Sequence, residues 1–325
     1  MLTFPFSLPG LAPPPQPGPA LAPPRLEEEA VHTADGQRLP LRRWRPAEGM
    51  MRGVILALHG MNDYSRAFDG AGRHLAAEGF VLYAYDQRGF GAGPWPGHWP
   101  GERALVEDAA AALGLLAAAH PGLPLFLLGE SMGGAIALLA AETQALPPLA
   151  GLILSAPAVW ARHDMGLMER GLLWLSSHSL PWLTLTGHGL HLTPSDNADM
   201  LRDLAQDPLV IKETRIDTIH GVVELMTRAR QAARHLRRPA LLLYGEKDEI
   251  IPAAATFQMM RALPDAPARQ RCALYSRGYH MLLRDRQAAT VLADIAAWLG
   301  DPAQPLPSGA DRHADRVIFR ETGRP

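Results

Sequence analysis

The chain has 325 residues, of which 47% are hydrophobic and 20% charged, so it can bury the core of one large α/β domain or of a core with an insertion. A formal net charge of −2 gives no electrostatic reason to expect nucleic acid, and a single cysteine, Cys272, excludes an internal disulfide framework. Residues 1–24 hold nine of the 30 prolines, which predicts a disordered extension rather than a membrane helix. Because this stretch also makes no convincing signal peptide, we expect a cytoplasmic protein, with peripheral membrane contact left open.

Apolar runs with strand character alternate with helical patterns from residue 53 onward. The strands are predicted at 53–60, 80–86, 123–129, 149–157, 238–248 and 269–276. The helices are predicted at 66–78, 102–120, 131–144, 253–262 and 285–299. Strands of this kind, buried on both faces and separated by helices, are typical of an α/β fold with a mostly parallel sheet.

The alternation stops over residues 158–235, which are rich in Leu, Met, Trp and His and show no clear strands. We expect this segment to be a helical cap inserted into a core formed by 25–157 and 236–300. Its most apolar stretch contains Trp174, which we interpret as lining an acyl pocket, with the outer face of the cap touching a membrane. Ordinary packing of cap helices on the core explains the same composition equally well. Residues 301–325 are Pro-rich and polar, which predicts a disordered tail.

The stretch "GESMGG" places Ser131 where the strand at 123–129 gives way to a helix. Gly-x-Ser-x-Gly at such a junction is typical of a nucleophile elbow, a strained turn that exposes the serine hydroxyl at the end of a sheet. Gly129 and Gly133 suit this turn, because the strand and helix backbones come too close there for larger side chains. Ser131 is therefore the candidate nucleophile.

A nucleophilic serine needs a base and an acid that orients the base, and in this arrangement they follow in the order Ser, Asp, His after later strands. Asp248 closes the strand at 238–248, and His280 follows the strand that contains Cys272. Glu246 and Glu249 are rival acids, whose expected place is a solvated loop. We predict a triad of Ser131, Asp248 and His280.

The segment "LHGMNDYS" follows the strand that begins at residue 53, where a His-Gly loop supplies an oxyanion-hole amide. We assign the two oxyanion donors to the backbone N–H groups of Met61 and Met132. The side chain of His59 is interpreted as a packed histidine that orients this loop.

These segments together resemble monoacylglycerol lipases and lysophospholipases of the α/β-hydrolase superfamily, chains also described as serine aminopeptidase-like. The similarity rests on "LALHGMNDYS", "YAYDQRGFG", "GESMGG", "LLLYGEKDEIIP" and "YSRGYHMLLRD". It implies the α/β-hydrolase fold with a sheet of about eight strands, the triad named above and a helical cap. It also implies that Asp63 occupies an acidic position that helps to hold a glycerol headgroup. The arginine that accompanies it in the family is replaced by Ala67, with Arg66 one residue earlier.

The sequence therefore predicts a serine hydrolase that cleaves carboxylic esters through an acyl-enzyme, acting on a lipid-like monoacyl ester. It needs no cofactor, and we expect no metal site, because "HGLHL" in the cap has no carboxylate or cysteine at zinc-like spacing. A small-ester esterase, a perhydrolase or a peptidase with the same triad stays open as an alternative. So does a non-catalytic binding protein with this fold.

Overall fold

The computed structural model describes residues 17–47, 49–143, 146–186 and 192–320. Nine of its strands form one sheet, in the order β1-β2-β3-β5-β4-β6-β7-β10-β11. These strands are β1 Arg25–Leu26, β2 Ala30–His32, β3 Arg38–Trp44, β4 Gly53–Leu58, β5 Phe80–Tyr85, β6 Leu125–Glu130, β7 Gly151–Ser155, β10 Ala240–Gly245 and β11 Gln270–Tyr275. The six strands from β5 to β11 in this order are parallel, which confirms the predicted α/β-hydrolase architecture.

Alternate side chains of each central strand enter two separate hydrophobic clusters, one on each face of the sheet. In β4, Val54 and Leu56 join one cluster, whereas Ile55 and Ala57 join the other. Because both faces are covered by helices, the strand reads as a continuous apolar run rather than an alternating one.

Helices α1 and α8 cover one face of the sheet, and α2, α3, α6 and α7 cover the other. The helices of the described residues are α1 Asp69–Ala77, α2 Glu102–Ala119, α3 Met132–Glu142, α4 Leu167–Ser179, α5 Ala198–Gln206, α6 Ile216–Ala233, α7 Ala253–Arg261, α8 Ala288–Gly300 and α9 Ala310–Ala314. None of them is both long enough and apolar enough to cross a bilayer.

The antiparallel strands β1, β2 and β3 extend the sheet to nine strands, one more than the eight expected. Leu39 and Leu41 of β3 are buried, while the neighbouring residues Arg38, Pro40 and Arg42 are more exposed. This period-two pattern is that of a strand with one solvated face, and it differs from the continuous runs on which the other strands were predicted.

The inserted segment contains α4, α5 and α6, but also a short antiparallel ribbon of β8 Thr184–Thr186 and β9 Glu213–Arg215 that was not predicted. Helix α6 packs on α3, and its residues Val222 and Leu225 belong to the main hydrophobic cluster. The cap therefore merges with the core at α6, before the predicted boundary at residue 235.

The prediction of a disordered tail over 301–325 is wrong for the residues that the structure describes there. Residues 301–320 include α9 and a π-helical turn, Asp315–Arg320, which lie against β11 and α7. The side chains of Leu306, Ala310, Ala314 and Ile318 are buried. They recur every fourth residue, with Leu306 and Ala310 in one hydrophobic cluster and Ala314 and Ile318 in the other. The prolines and charged residues between them dominate the composition, so composition alone does not reveal this packing.

The predicted N-terminal extension is described only from residue 17 onward, and residues 1–16 lie outside the described part. The amides of Leu21 and Ala22 both donate to the carbonyl of Ala34, so residues 17–24 lie against the turn between β2 and β3. This part of the predicted extension is therefore ordered.

Candidate active site

Ser131 lies in a tight turn between β6 and α3, with a backbone φ of 53° and ψ of −115°. A non-glycine residue in this region is strained, and such strain collects at functional sites. The flanking glycines are required by close packing: a Cβ on Gly129 would lie 2.3 Å from the carbonyl oxygen of Gly133, and one on Gly133 would lie 2.0 Å from that of Leu58. The turn therefore holds the serine hydroxyl away from both elements.

The structure brings Ser131, His280 and Asp248 together in one chain of hydrogen bonds at the carboxyl ends of β6, β11 and β10. His280 Nε2 lies 3.0 Å from Ser131 Oγ, and His280 Nδ1 lies 2.8 Å from Asp248 Oδ2. The other oxygen of Asp248 accepts the amides of Ile250 at 2.8 Å and Ile251 at 3.0 Å. With Nδ1–H donating to Asp248, Nε2 is free to accept the serine proton.

The two predicted oxyanion donors flank this serine. Met132 is the first residue of α3, where a backbone N–H has no partner within its helix. The His-Gly loop lies directly against the serine, since a Cβ on Gly60 would be 3.3 Å from Ser131 Cβ. Among the described residues, no acceptor is hydrogen-bonded to the amide of Met61 or of Met132. Both are available to a negatively charged oxygen.

His59 is fully buried and joins the His-Gly loop to Gln87, in the loop after β5. Its Nδ1 donates to the carbonyl of Gly60 at 2.8 Å, and its Nε2 accepts the amide of Gln87 at 3.0 Å. Burial lowers the pKa of His59, so the ring is neutral. With both nitrogens occupied, this side chain orients the loop and has no free atom for proton transfer.

A cavity of about 170 Å³ opens beside the serine hydroxyl. It is lined by Gly60, Met61, Asp63, Glu130, Ser131, Pro194, Ile250, His280, Met281 and Arg284. Glu130 and Arg284 are the residues that the sequence reasoning missed. Glu130 is the variable position before the serine of the elbow, and Arg284 follows His280 by four residues, so their positions beside the two catalytic candidates are the signals that could have found them.

Arg284 joins two buried carboxylates in this wall. It lies 2.7 Å from Asp63 Oδ2 and 3.1 Å from Glu130 Oε2. Burial raises the pKa of Glu130, and the positive charge of Arg284 opposes that rise. Burial lowers the pKa of Arg284, but the attraction of Glu130 and Asp63 outweighs it and the pKa is raised. Asp63 is thus an ion-pair partner that faces the cavity, with its other oxygen accepting the amide of Tyr64.

Trp174 lies away from this cavity and does not form the acyl-pocket wall expected of it. It lies on α4 with half of its surface exposed, and its ring stacks on His178 with centroids 4.6 Å apart. Helix α4, the loop after it and β8 carry a set of exposed large apolar side chains, which we call the cap face. It comprises Leu167, Met168, Leu172, Trp174, Leu175, Leu180, Trp182, Leu183 and Leu185.

No group of three His, Cys, Asp or Glu side chains within the described ranges is arranged to hold a metal ion. The "HGLHL" segment falls mainly on residues 187–191, which lie outside the described residues. Cys272 is buried in β11, and burial raises the pKa of its thiol, which keeps it protonated.

An elbow serine, a histidine and an aspartate at the carboxyl ends of a mostly parallel sheet define the chain as an α/β-hydrolase. The sequence model of the serine aminopeptidase, S33, family matches residues 49–287. Since this match spans most of the chain, the protein belongs to that family.

The chain is similar in sequence to monoacylglycerol lipases over most of its length. The chain is 27% identical over 283 residues to the human monoglyceride lipase, covering 82% of this chain and 88% of the relative. It is 27% identical over 286 residues to the monoacylglycerol lipase of Mycolicibacterium smegmatis, covering 84% and 96%. The crystal structure of the Paleococcus ferrophilus monoacylglycerol lipase superposes with a TM-score of 0.65 at 25% identity, covering 80% of this chain and 98% of that one.

Proposed function

We propose that this protein is a serine hydrolase of carboxylic esters and acts on lipid-like monoacyl esters such as monoacylglycerols. The observation that carries the proposal is the hydrogen-bonded series from Ser131 through His280 to Asp248, set in a strained elbow. The names of the relatives, human and mycobacterial monoacylglycerol lipases, favour this substrate class.

In the proposed reaction, His280 Nε2 takes the proton of Ser131 while the serine oxygen attacks the ester carbonyl. The oxyanion of the tetrahedral intermediate accepts hydrogen bonds from the Met61 and Met132 amides. His280 then gives the proton to the departing alcohol, which leaves an acyl-enzyme. A water molecule, deprotonated by the same imidazole, attacks the acyl carbon. As the bond from Ser131 Oγ to the acyl carbon breaks, His280 returns this proton to Ser131, and the fatty acid is released. Asp248 holds the imidazole in the required tautomer throughout.

The lining of the cavity combines apolar and charged side chains, and this combination supports an ester with one apolar and one polar part. Met61, Ile250 and Met281 are apolar, whereas Asp63 and Arg284 are charged. We assign the apolar side chains to contact with the acyl chain, and the charged ones, including Asp63, to contact with the hydroxyl-bearing alcohol.

A series of p-nitrophenyl esters from acetate to decanoate tests the substrate class. Burying an acyl chain contributes roughly 0.8 kcal/mol per methylene, so kcat/KM should rise with chain length until the cavity is full. The factor gained per methylene should be smaller than this free energy would give, because only contacts kept in the transition state count. A kcat/KM that is highest for acetate and declines steadily would contradict the lipid-like substrate and leave a small-ester esterase.

We further propose that the cap face contacts the lipid surface that holds the substrate. Its side chains are unusually exposed for large apolar residues: Leu167 is 82% exposed and Met168 85%. Exposed apolar surface of this extent marks an interaction site. The cap ribbon is hydrogen-bonded through Thr214 to Asn62, the residue after the cavity-lining Met61. Binding of the cap to a membrane would therefore bring the cavity close to substrate there.

Two matched methionine substitutions test this contact. Met168→Ser changes the cap face, and Met50→Ser changes a methionine of similar exposure, 90%, on the loop before β4. Burial of one such side chain is worth roughly 1.5 kcal/mol, so Met168→Ser should weaken sedimentation with phosphatidylcholine–monoacylglycerol vesicles about tenfold, and Met50→Ser should not. Both should hydrolyse a soluble short-chain ester like the unmodified protein. Equal vesicle binding by the two variants would refute the contact.

A further inference from the structure

The loop that carries the proposed oxyanion donor is held from two sides, by the core before Met61 and by the cap after it. On the core side, His59 is bonded to Gln87 and to the carbonyl of Gly60. On the cap side, the phenol of Tyr64 donates to Asp207 at 2.7 Å. Met61 is therefore the residue at which the core-held part of the loop meets the cap-held part.

Asn62, directly after Met61, makes the closest of the cap contacts. Its carbonyl accepts the amide of Ile211 at 3.0 Å, and its side-chain amide donates to Thr214 Oγ1 at 2.6 Å. Thr214 is the central residue of β9, paired with Leu185 of β8. One hydrogen bond thus joins Asn62 to the cap ribbon at Thr214, and a second joins it to Ile211, two residues before the second strand of the ribbon.

The backbone of Asn62 also lies in the left-handed region, with φ of 65°. Asparagine tolerates this conformation better than most residues, but the conformation still needs surrounding contacts to persist. The turn at Asn62 sets the direction in which the chain leaves Met61, and hence the orientation of the Met61 peptide. The bonds to Ile211 and Thr214 supply those contacts.

We infer that Asn62 and Thr214 are positioning residues for the oxyanion hole, so that docking of the cap ribbon fixes the orientation of the Met61 backbone N–H. This inference rests on the proposed function, since it assigns a task within that reaction. Cap docking and transition-state stabilisation are then coupled. If the ribbon moves away, Asn62 is released and the Met61 N–H no longer points towards the oxyanion. A preorganised donor matters because small misplacements of catalytic groups cost large factors in rate.

The test compares valine and serine at Thr214 with valine at Thr184. Thr184 lies on the opposite strand of the same ribbon, and its hydroxyl bonds only to Glu213 among the described residues. Measurements on the full chain are kcat and KM for a soluble ester and Ki for an alkyl trifluoromethyl ketone, which forms a tetrahedral adduct with the serine. Thr214→Val should lower kcat roughly 10-fold to 100-fold with little change in KM and raise Ki by a similar factor. Thr214→Ser and Thr184→Val should retain unmodified values.

A loss of kcat without a change in Ki, or equal losses for Thr214→Val and Thr184→Val, would overturn the inference. Should Thr214→Val unfold, Asn62→Gly provides the second variant. Glycine keeps the left-handed backbone and the carbonyl that accepts the Ile211 amide, but it lacks the side-chain carboxamide that bonds Thr214. It should lower kcat and raise Ki in parallel, and parent-like values would overturn the inference. Failure of the proposed function is distinguishable: in that case the unmodified chain hydrolyses no ester, or Ser131→Ala hydrolyses it equally well.

Discussion

Arg284→Met tests the charge balance of the cavity wall. Arg284 is buried and lies 2.7 Å from Asp63 and 3.1 Å from Glu130. Methionine fills a similar volume without charge, so the substitution leaves two buried carboxylates unpaired. Removing one partner from a buried ion pair typically costs about 3–5 kcal/mol, and we expect the free energy of unfolding to fall by this amount at pH 8.

The loss of unfolding free energy in Arg284→Met should depend on pH, and the pKa of Glu130 gives the direction. Burial raises the pKa of Glu130 even with Arg284 present, and without the guanidinium the pKa rises further. A carboxyl group whose folded-state pKa lies above its unfolded value binds protons preferentially in the folded protein. Stability is therefore lost as the pH rises from the unfolded value through the folded one. The difference between Arg284→Met and the unmodified protein should be small near pH 5 and largest near pH 8.

Urea unfolding followed by tryptophan fluorescence at pH 5 and pH 8 measures this difference. Arg162→Met is the matched control, because Arg162 pairs with Glu224 at 2.9 Å where both side chains are about a third exposed or more. Partly exposed pairs contribute about 0–1 kcal/mol, and the control should change little at either pH. An Arg284→Met protein within 1 kcal/mol of the control at pH 8, or a loss that is the same at both pH values, would refute the reasoning.

Two further predictions concern the elbow and the base. Gly133→Ala should abolish ester turnover and lower stability, because its Cβ would lie 2.0 Å from the carbonyl oxygen of Leu58. As a control, Gly114→Ala in α2 should raise the free energy of unfolding by about 0.5–1 kcal/mol, since its Cβ meets open space and alanine favours the helix. An active Gly133→Ala protein would contradict this account of the turn. The kcat/KM for a soluble ester should fall at acidic pH, because a protonated His280 cannot accept the serine proton. A flat profile down to pH 5 would point to a different base.

The parallel part of the sheet was predictable because its strands are buried on both faces, and the apolar runs at Gly53–Leu58 and Ala240–Gly245 show this directly. The positions of Ser131, Asp248 and His280 followed from the same pattern, since each lies within five residues after the end of such a strand. The structure places them within hydrogen-bonding distance, and their catalytic roles stay predictions.

Other features depend on contacts that local patterns do not show. Strands β1 and β2 have only two and three residues, and β3 has one exposed face. The tail residues are held by packing on β11 and α7 and by bonds to distant residues such as Arg271 and Asp294. The pairing of Arg284 with Glu130 joins residues 154 positions apart, and the bond from Asn62 to Thr214 joins residues 152 apart. Trp174 was placed in a pocket from its apolar surroundings, but composition cannot tell an inward helix face from an outward one.

The central claim is that Ser131 is an activated nucleophile, and covalent labelling by a fluorophosphonate tests it most directly. Mass spectrometry of the labelled protein should locate the phosphonyl group on Ser131, with no labelling of Ser131→Ala. The Ser131→Ala protein should unfold at the same urea concentration as the parent, while its kcat for a soluble ester falls by roughly 10³-fold or more. Labelling at another residue, or near-normal turnover by a folded Ser131→Ala protein, would contradict the account.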